Sequence, residues 1–198
     1  MLFEICASTP VDVAVAKEAG ADRVELCGHW ECGGLTPSMA SIRASVNLGL
    51  PVRALVRPRA GDFCYNESEK QLILAEALDC LHVGAEMVVL GGLDIEGGVD
   101  ESLIEMICSK IPSELIVFHR ALDLSKDPME SLEILQDFGI NSVLSSGAAP
   151  AAGLGLGLIR QLSDAGMQVI AGGGVRAEDI VALGEARVEA VHASCRVK

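Results

Sequence analysis

Short apolar, β-branched runs alternate along the chain with longer segments whose apolar positions recur every three or four residues. The runs are Leu2–Cys6, Arg23–Cys27, Val52–Val56, Glu86–Leu90, Leu115–Phe118, Ser142–Leu144, Gln168–Ala171 and Ala190–His192. Each has the length of a strand, and helix-period segments such as Val11–Ala19, Ser68–His82 and Met129–Phe138 lie between them. Gly20, Gly84 and Gly139 stand where those helices should end. One helix-to-strand connector recurs, as Ala-Gly-Ala-Asp-Arg-Val at 19–24, His-Val-Gly-Ala-Glu-Met at 82–87 and Phe-Gly-Ile-Asn-Ser-Val at 138–143. Strand starts fall 21 to 34 residues apart, the spacing of repeated strand–helix units. Eight alternations predict an α/β fold, a closed parallel (β/α)8 TIM-type barrel built as a single domain over residues 1–198. An open doubly wound sheet is the weaker alternative, because no Gly-x-Gly-x-x-Gly fingerprint follows the first strand.

One element of that pattern is absent. The chain ends at Lys198, about six residues past the eighth strand, so a barrel lacking its eighth helix is expected. The groove flanked by Val11–Ala19 and Ala177–Leu183 would then expose apolar strand residues, and it is expected to be filled by a two-fold partner, as a homodimer, or by rearrangement of the last strand and its neighbours.

Composition narrows the rest. Half the residues are hydrophobic but only six are aromatic, so Ala, Val, Leu and Ile must build the core. That suits a parallel sheet wrapped in helices. A formal net charge of −13 argues against a nucleic-acid surface, and no apolar run approaches the ~20 residues of a membrane span. No basic segment precedes the first strand, so a secretory signal is not expected. Seven scattered cysteines predict reduced thiols and a cytosolic location.

In such a barrel the working face is the C-terminal end of the strands. The strand Val52–Val56 changes there to Arg57, Pro58, Arg59, Gly61 and Asp62, charges that are costly at a buried strand end unless something needs them. The first two strands end in Glu4-Ile-Cys6 and Glu25-Leu-Cys27, each pairing a carboxylate and a thiol on one face. The fifth gives His119, Arg120 and Asp123, the sixth Ser145-Ser146-Gly147, the seventh Gly172-Gly173-Gly174 and the eighth His192-Ala-Ser194. Arg57, Arg59 and Arg120, with Gly172, Gly173 and Ser194, are the candidate binders of an anion. Glu4, Glu25, His119, Asp123 and His192 are the candidate acids and bases. Cys6 and Cys27, on neighbouring strands, suit a soft ion such as Cu(I). Two small buried hydrophobes are the plainer reading of the same pair. Cys32 and Cys64 fall in loops on that face, whereas Cys80 and Cys108 fall within helices as packing residues.

Together these residues resemble the CutC copper-homeostasis family. The carriers are Glu4-Ile-Cys6, Gly20-Ala-Asp-Arg-Val-Glu-Leu-Cys27, Gly33-Gly-Leu-Thr-Pro-Ser38, Arg57-Pro-Arg-Ala-Gly-Asp-Phe-Cys-Tyr65, Phe118-His-Arg-Ala-Leu-Asp123, Ser146-Gly147 and His192-Ala-Ser194, in order over nearly the whole chain. The resemblance implies a (β/α)8 barrel, a cytoplasmic location and a role in copper handling, with Cys6 and Cys27 at the positions of the family's proposed Cu(I) ligands. Ala60 stands where the family more usually has Gly, residues 148–157 are rich in Ala and Gly, and family members continue past the last residue here. Two functions are therefore expected: a Cu(I)-binding protein using Cys6 and Cys27, or an enzyme acting on a small carboxylate or phosphate by Glu/His acid–base chemistry.

Overall fold

A computed structural model describes residues 1–194. Strands and helices alternate as β1 (Leu2–Ala7), α1 (Pro10–Glu18), β2 (Arg23–Leu26), α2 (Met39–Val46), β3 (Val52–Leu55), α3 (Glu67–His82), β4 (Met87–Leu90) and α4 (Glu101–Cys108). They continue as β5 (Ile116–Phe118), α5 (Pro128–Asp137), β6 (Ser142–Ser145), α6 (Leu156–Asp164), β7 (Gln168–Gly172), α7 (Ile180–Glu185) and β8 (Ala190–Ser194). All eight expected strands are present, with ends displaced by one or two residues.

Local chemistry starts the helices. The Thr9 hydroxyl accepts from the Asp12 amide while the Asp12 carboxylate accepts from the Thr9 amide, a reciprocal cap opening α1. Asn66 and Glu69 do the same for α3, and the carboxylates of Asp100 and Asp127 cap α4 and α5.

The strands form a closed parallel barrel in sequence order, β8 returning to pair with β1. Register sets Glu4 beside both Arg23 of β2 and His192 of β8, and Cys6 beside Glu25. Alternation then divides each strand's side chains. Outward-facing residues such as Val24, Val88, Phe118 and Val169 pack beneath the helices in the main core. Inward-facing ones fill the barrel: Leu55, Met87, Val89, Val117, Leu144, Ile170 and Ala190, with Cys27 at their upper edge.

Among the described residues there are seven α-helices, and none lies over the flank between α7 and α1. Phe3 on β1 is 46% exposed, and Val11, Val15 and Val181 on the bordering helices are exposed too. Among the described residues no helix is long and apolar enough to cross a membrane.

Candidate functional site

The lower barrel interior holds a charge network. Glu4 is buried and accepts from Arg23 Nε at 2.6 Å, pairs with Arg53 Nη1 at 3.5 Å, and meets His192 Nδ1 at 2.8 Å. Glu189 shares Arg23 from below at 2.9 Å. Burial opposes ionisation of Glu4, but the His192 hydrogen bond and the surrounding cations outweigh it and hold its pKa at about 2. Glu4 is a fixed anion that orients His192.

One layer higher the groups are far less paired. Cys6 Sγ and Cys27 Sγ lie 3.7 Å apart, near enough for both to reach one ion at the ~2.3 Å of a metal–thiolate bond. Ligand atoms of Cys6, Glu25 and His192 all fall within 4.8 Å of one another. Glu25 is buried, and burial followed by the nearby Glu4 charge pushes its pKa up to about 7, against the pull of His192 and Arg53. For His192, burial disfavours the imidazolium, yet the Glu25 charge and the Glu4 hydrogen bond outweigh it and raise the pKa to about 9. The Cys6 thiol is pushed far up by its contact with Cys27, then by burial and the Glu25 charge. At neutral pH the layer therefore holds a protonated Cys6 thiol, an imidazolium and a carboxyl group poised between its two states.

This layer is the floor of a mouth cavity of about 1100 Å³. Arg57, Phe63 and His119 line it as well, as do Trp30, Arg120 and Arg176. Arg57 is buried and, among the described residues, donates only to backbone carbonyls, of Cys32, Gly34 and Gly61. Phe63 lies between its guanidinium, 4.8 Å from the ring, and the His119 ring at 4.7 Å. His119 Nδ1 accepts from the Ala121 amide, which places the ring proton on Nε2. Burial and the Arg57 charge lower the His119 pKa to about 3, so this histidine is neutral.

Comparison with known proteins agrees with the geometry. The model of the CutC family matches residues 1–197. The chain belongs to the CutC family. A CutC family protein of Pectobacterium atrosepticum is 38% identical over 97% of this chain, which spans 77% of that protein. One from Glaesserella parasuis is 36% identical over 99% of this chain and 83% of the relative. A crystal structure described as a candidate copper homeostasis protein CutC, from Streptococcus agalactiae, superposes at a TM-score of 0.87 with 28% identity and complete coverage of both chains.

Within this CutC barrel the residues expected from the sequence divide. Cys6, Glu25, Cys27, Arg57, His119, Arg120, His192 and Ser194 line one cavity, while Glu4 lies beneath it. Arg59 does not line it. Its guanidinium stacks on Tyr65 and pairs with Glu69 and Asp62, because the chain turns outward after Pro58. Asp123 is also occupied elsewhere: it accepts from the Ser145 and Ser146 hydroxyls, the Ser146 and Ala148 amides and Arg120. This carboxylate clasps the loop after β6 rather than facing the cavity. Gly172 packs closely, since a Cβ there would come within 2.6 Å of Leu144. At Gly173, with φ of +94°, a Cβ would meet the Arg120 guanidinium at 3.0 Å, so the glycine makes room for that side chain. The helical turn beyond them is already capped by Asp179, which accepts from the Arg176 amide. Gly172 therefore makes room for Leu144 and Gly173 for Arg120, and Gly173 lines the mouth cavity with Ser194.

Four functional neighbours escaped the sequence reading. Arg23 and Arg53 stand two residues before Glu25 and Leu55 on the same inward faces, a signal that alternation carried. Trp30 opens a single 3-10 turn and Phe63 sits in a loop, where no periodicity points inward.

Proposed function

We propose that this CutC-family chain is a cytosolic Cu(I)-handling protein that binds its cargo through Cys6 and Cys27. One observation carries the reading: two thiols 3.7 Å apart, opening onto a cavity, with Glu25 and His192 close enough to complete the coordination. Soft thiolates select Cu(I) over the harder divalent ions, and such a pair persists reduced only in a reducing compartment. Both thiols must lose protons when the ion binds. Glu25, poised near neutrality beside Cys6, is placed to accept one of them. Titration of the reduced chain against a competing Cu(I) chelator tests this. Stoichiometric binding should be abolished in Cys27→Ser, and a Cys6→Ser/Cys27→Ser double variant that still competes like the unmodified chain would remove the copper reading.

The exposed flank at Phe3, Val11, Val15 and Val181 supports a homodimer through that face. Light scattering should give twice 20.7 kDa, and a stable monomer counts against it.

A further inference from the structure

The mouth cavity, about 1100 Å³, is far larger than a single copper ion needs and lies at the upper end of the ~300–1000 Å³ typical of small-molecule sites. Its thiol floor uses one side only. The other side carries Arg57 and His119, both at least nine-tenths buried and neither engaged by a carboxylate.

A buried guanidinium normally has a counter-charge. Arg57 has three carbonyl oxygens instead, which leave its Nε without a partner. The Tyr65 hydroxyl lies near this guanidinium but is too loosely placed for a hydrogen bond. His119 Nε2 carries a proton, is buried and has no acceptor among the described residues. Phe63, against both groups, closes the wall with an apolar surface. Arg120 and Arg176 also line the cavity, though Asp123 and Glu178 pair with them. Among the described residues that line it, Glu25 is the one carboxyl group, within a chain whose net charge is −13. An acidic protein that turns cationic, donor-rich side chains towards one large cavity is built to receive an anion there.

We propose that the mouth cavity holds a second binding site, for a small organic carboxylate, with the ligand's oxygens taking the free N–H groups of Arg57 and His119 and its carbon skeleton against Phe63. The free N–H groups of Arg57 and His119 match the two oxygens of one carboxylate group, and Phe63 offers a carbon skeleton an apolar wall that inorganic phosphate cannot use. The site uses donors other than the Cys6 and Cys27 thiols of the same cavity, so it does not depend on copper binding.

Trp30, the chain's single tryptophan, lines the same cavity and reports on it by fluorescence. The reduced, copper-free full chain is titrated with succinate and, separately, with inorganic phosphate. A saturable Trp30 response to succinate below about 10 mM, at least several-fold tighter than to phosphate, is expected. His119→Asn keeps an oxygen for the Ala121 amide but deletes the Nε2 donor, and should weaken succinate about tenfold or more. Cys27→Ser should leave succinate binding unchanged. If His119→Asn does not fold, nitrogen-15 NMR of histidine in the unmodified chain replaces it, with succinate expected to shift the His119 Nε2–H resonance. The proposal is overturned by the absence of saturation, by tighter binding of phosphate, or by succinate binding that leaves His119 unperturbed. Loss of copper binding in Cys27→Ser with succinate binding intact separates the two sites.

Discussion

The two halves of the barrel interior are built on opposite principles. Strands β4 to β7 point Met87, Val89, Val117, Leu144 and Ile170 inward, the branched and apolar filling expected of a barrel core. Strands β8, β1, β2 and β3 point His192, Glu4, Cys6, Arg23, Glu25 and Arg53 into the same space. Burying charge costs free energy unless it is paired, and apolar residues of similar volume would serve stability at least as well. The charged half is not accounted for by stability alone. It is itself graded: Glu4, Arg23 and Arg53 are paired below, whereas Cys6, Glu25 and Cys27 are left available at the cavity floor.

Substitutions that treat the halves alike should separate them. Glu4→Gln removes the shared anion of Arg23, Arg53 and His192 and should destabilise the fold by about 3–5 kcal/mol, read by urea unfolding. The same change should return the His192 pKa towards 6.5 and alter Cu(I) affinity. Ile170→Ala opens a cavity in the apolar half and should cost about 2–5 kcal/mol. Its Cu(I) affinity should not change. If both variants lower stability and both leave copper binding untouched, the distinction between the halves fails.

A smaller effect is set by pH in the copper-free chain. The folded pKa of His192, about 9 against 6.5, gives stability that is complete below 6.5 and lost as pH rises through 9. Glu25, about 7 against 4.5, adds stability below 4.5 that is lost as pH rises through 7. Glu4, about 2 against 4.5, acts in the other direction: its contribution is present above 4.5 and lost as pH falls towards 2. The unfolding free energy from urea titration should thus be highest on the mildly acidic side and fall between 6.5 and 9 by a few kcal/mol, lowering the midpoint. A midpoint that rises over that range would show that these groups do not titrate as their surroundings dictate.

Much of this organisation was legible in the chain. Alternation placed Glu4 with Cys6 and Glu25 with Cys27 on inward faces, and the strand–helix spacing implied the closed barrel that brings β1, β2 and β8 together. What stayed hidden depended on contacts between distant segments. Asp123 reads as a candidate acid until Ser145 and Ser146, more than twenty residues later, are seen to saturate it. Arg59 shares a motif with Arg57, but Glu69 on α3 draws it out of the cavity. The lone donor on His119 could not be read at all, since it follows from which ring nitrogen the Ala121 amide occupies.

Whether the layer of Cys6 and Cys27 is a metal site is read most directly by X-ray absorption at the copper edge of the reduced chain loaded with one equivalent of Cu(I). Two sulfur neighbours per copper are predicted, with at most a light atom from Glu25 or His192 beside them, and one sulfur should disappear in Cys6→Ser. A copper environment made only of nitrogen and oxygen, or one unchanged by that substitution, would contradict the copper reading.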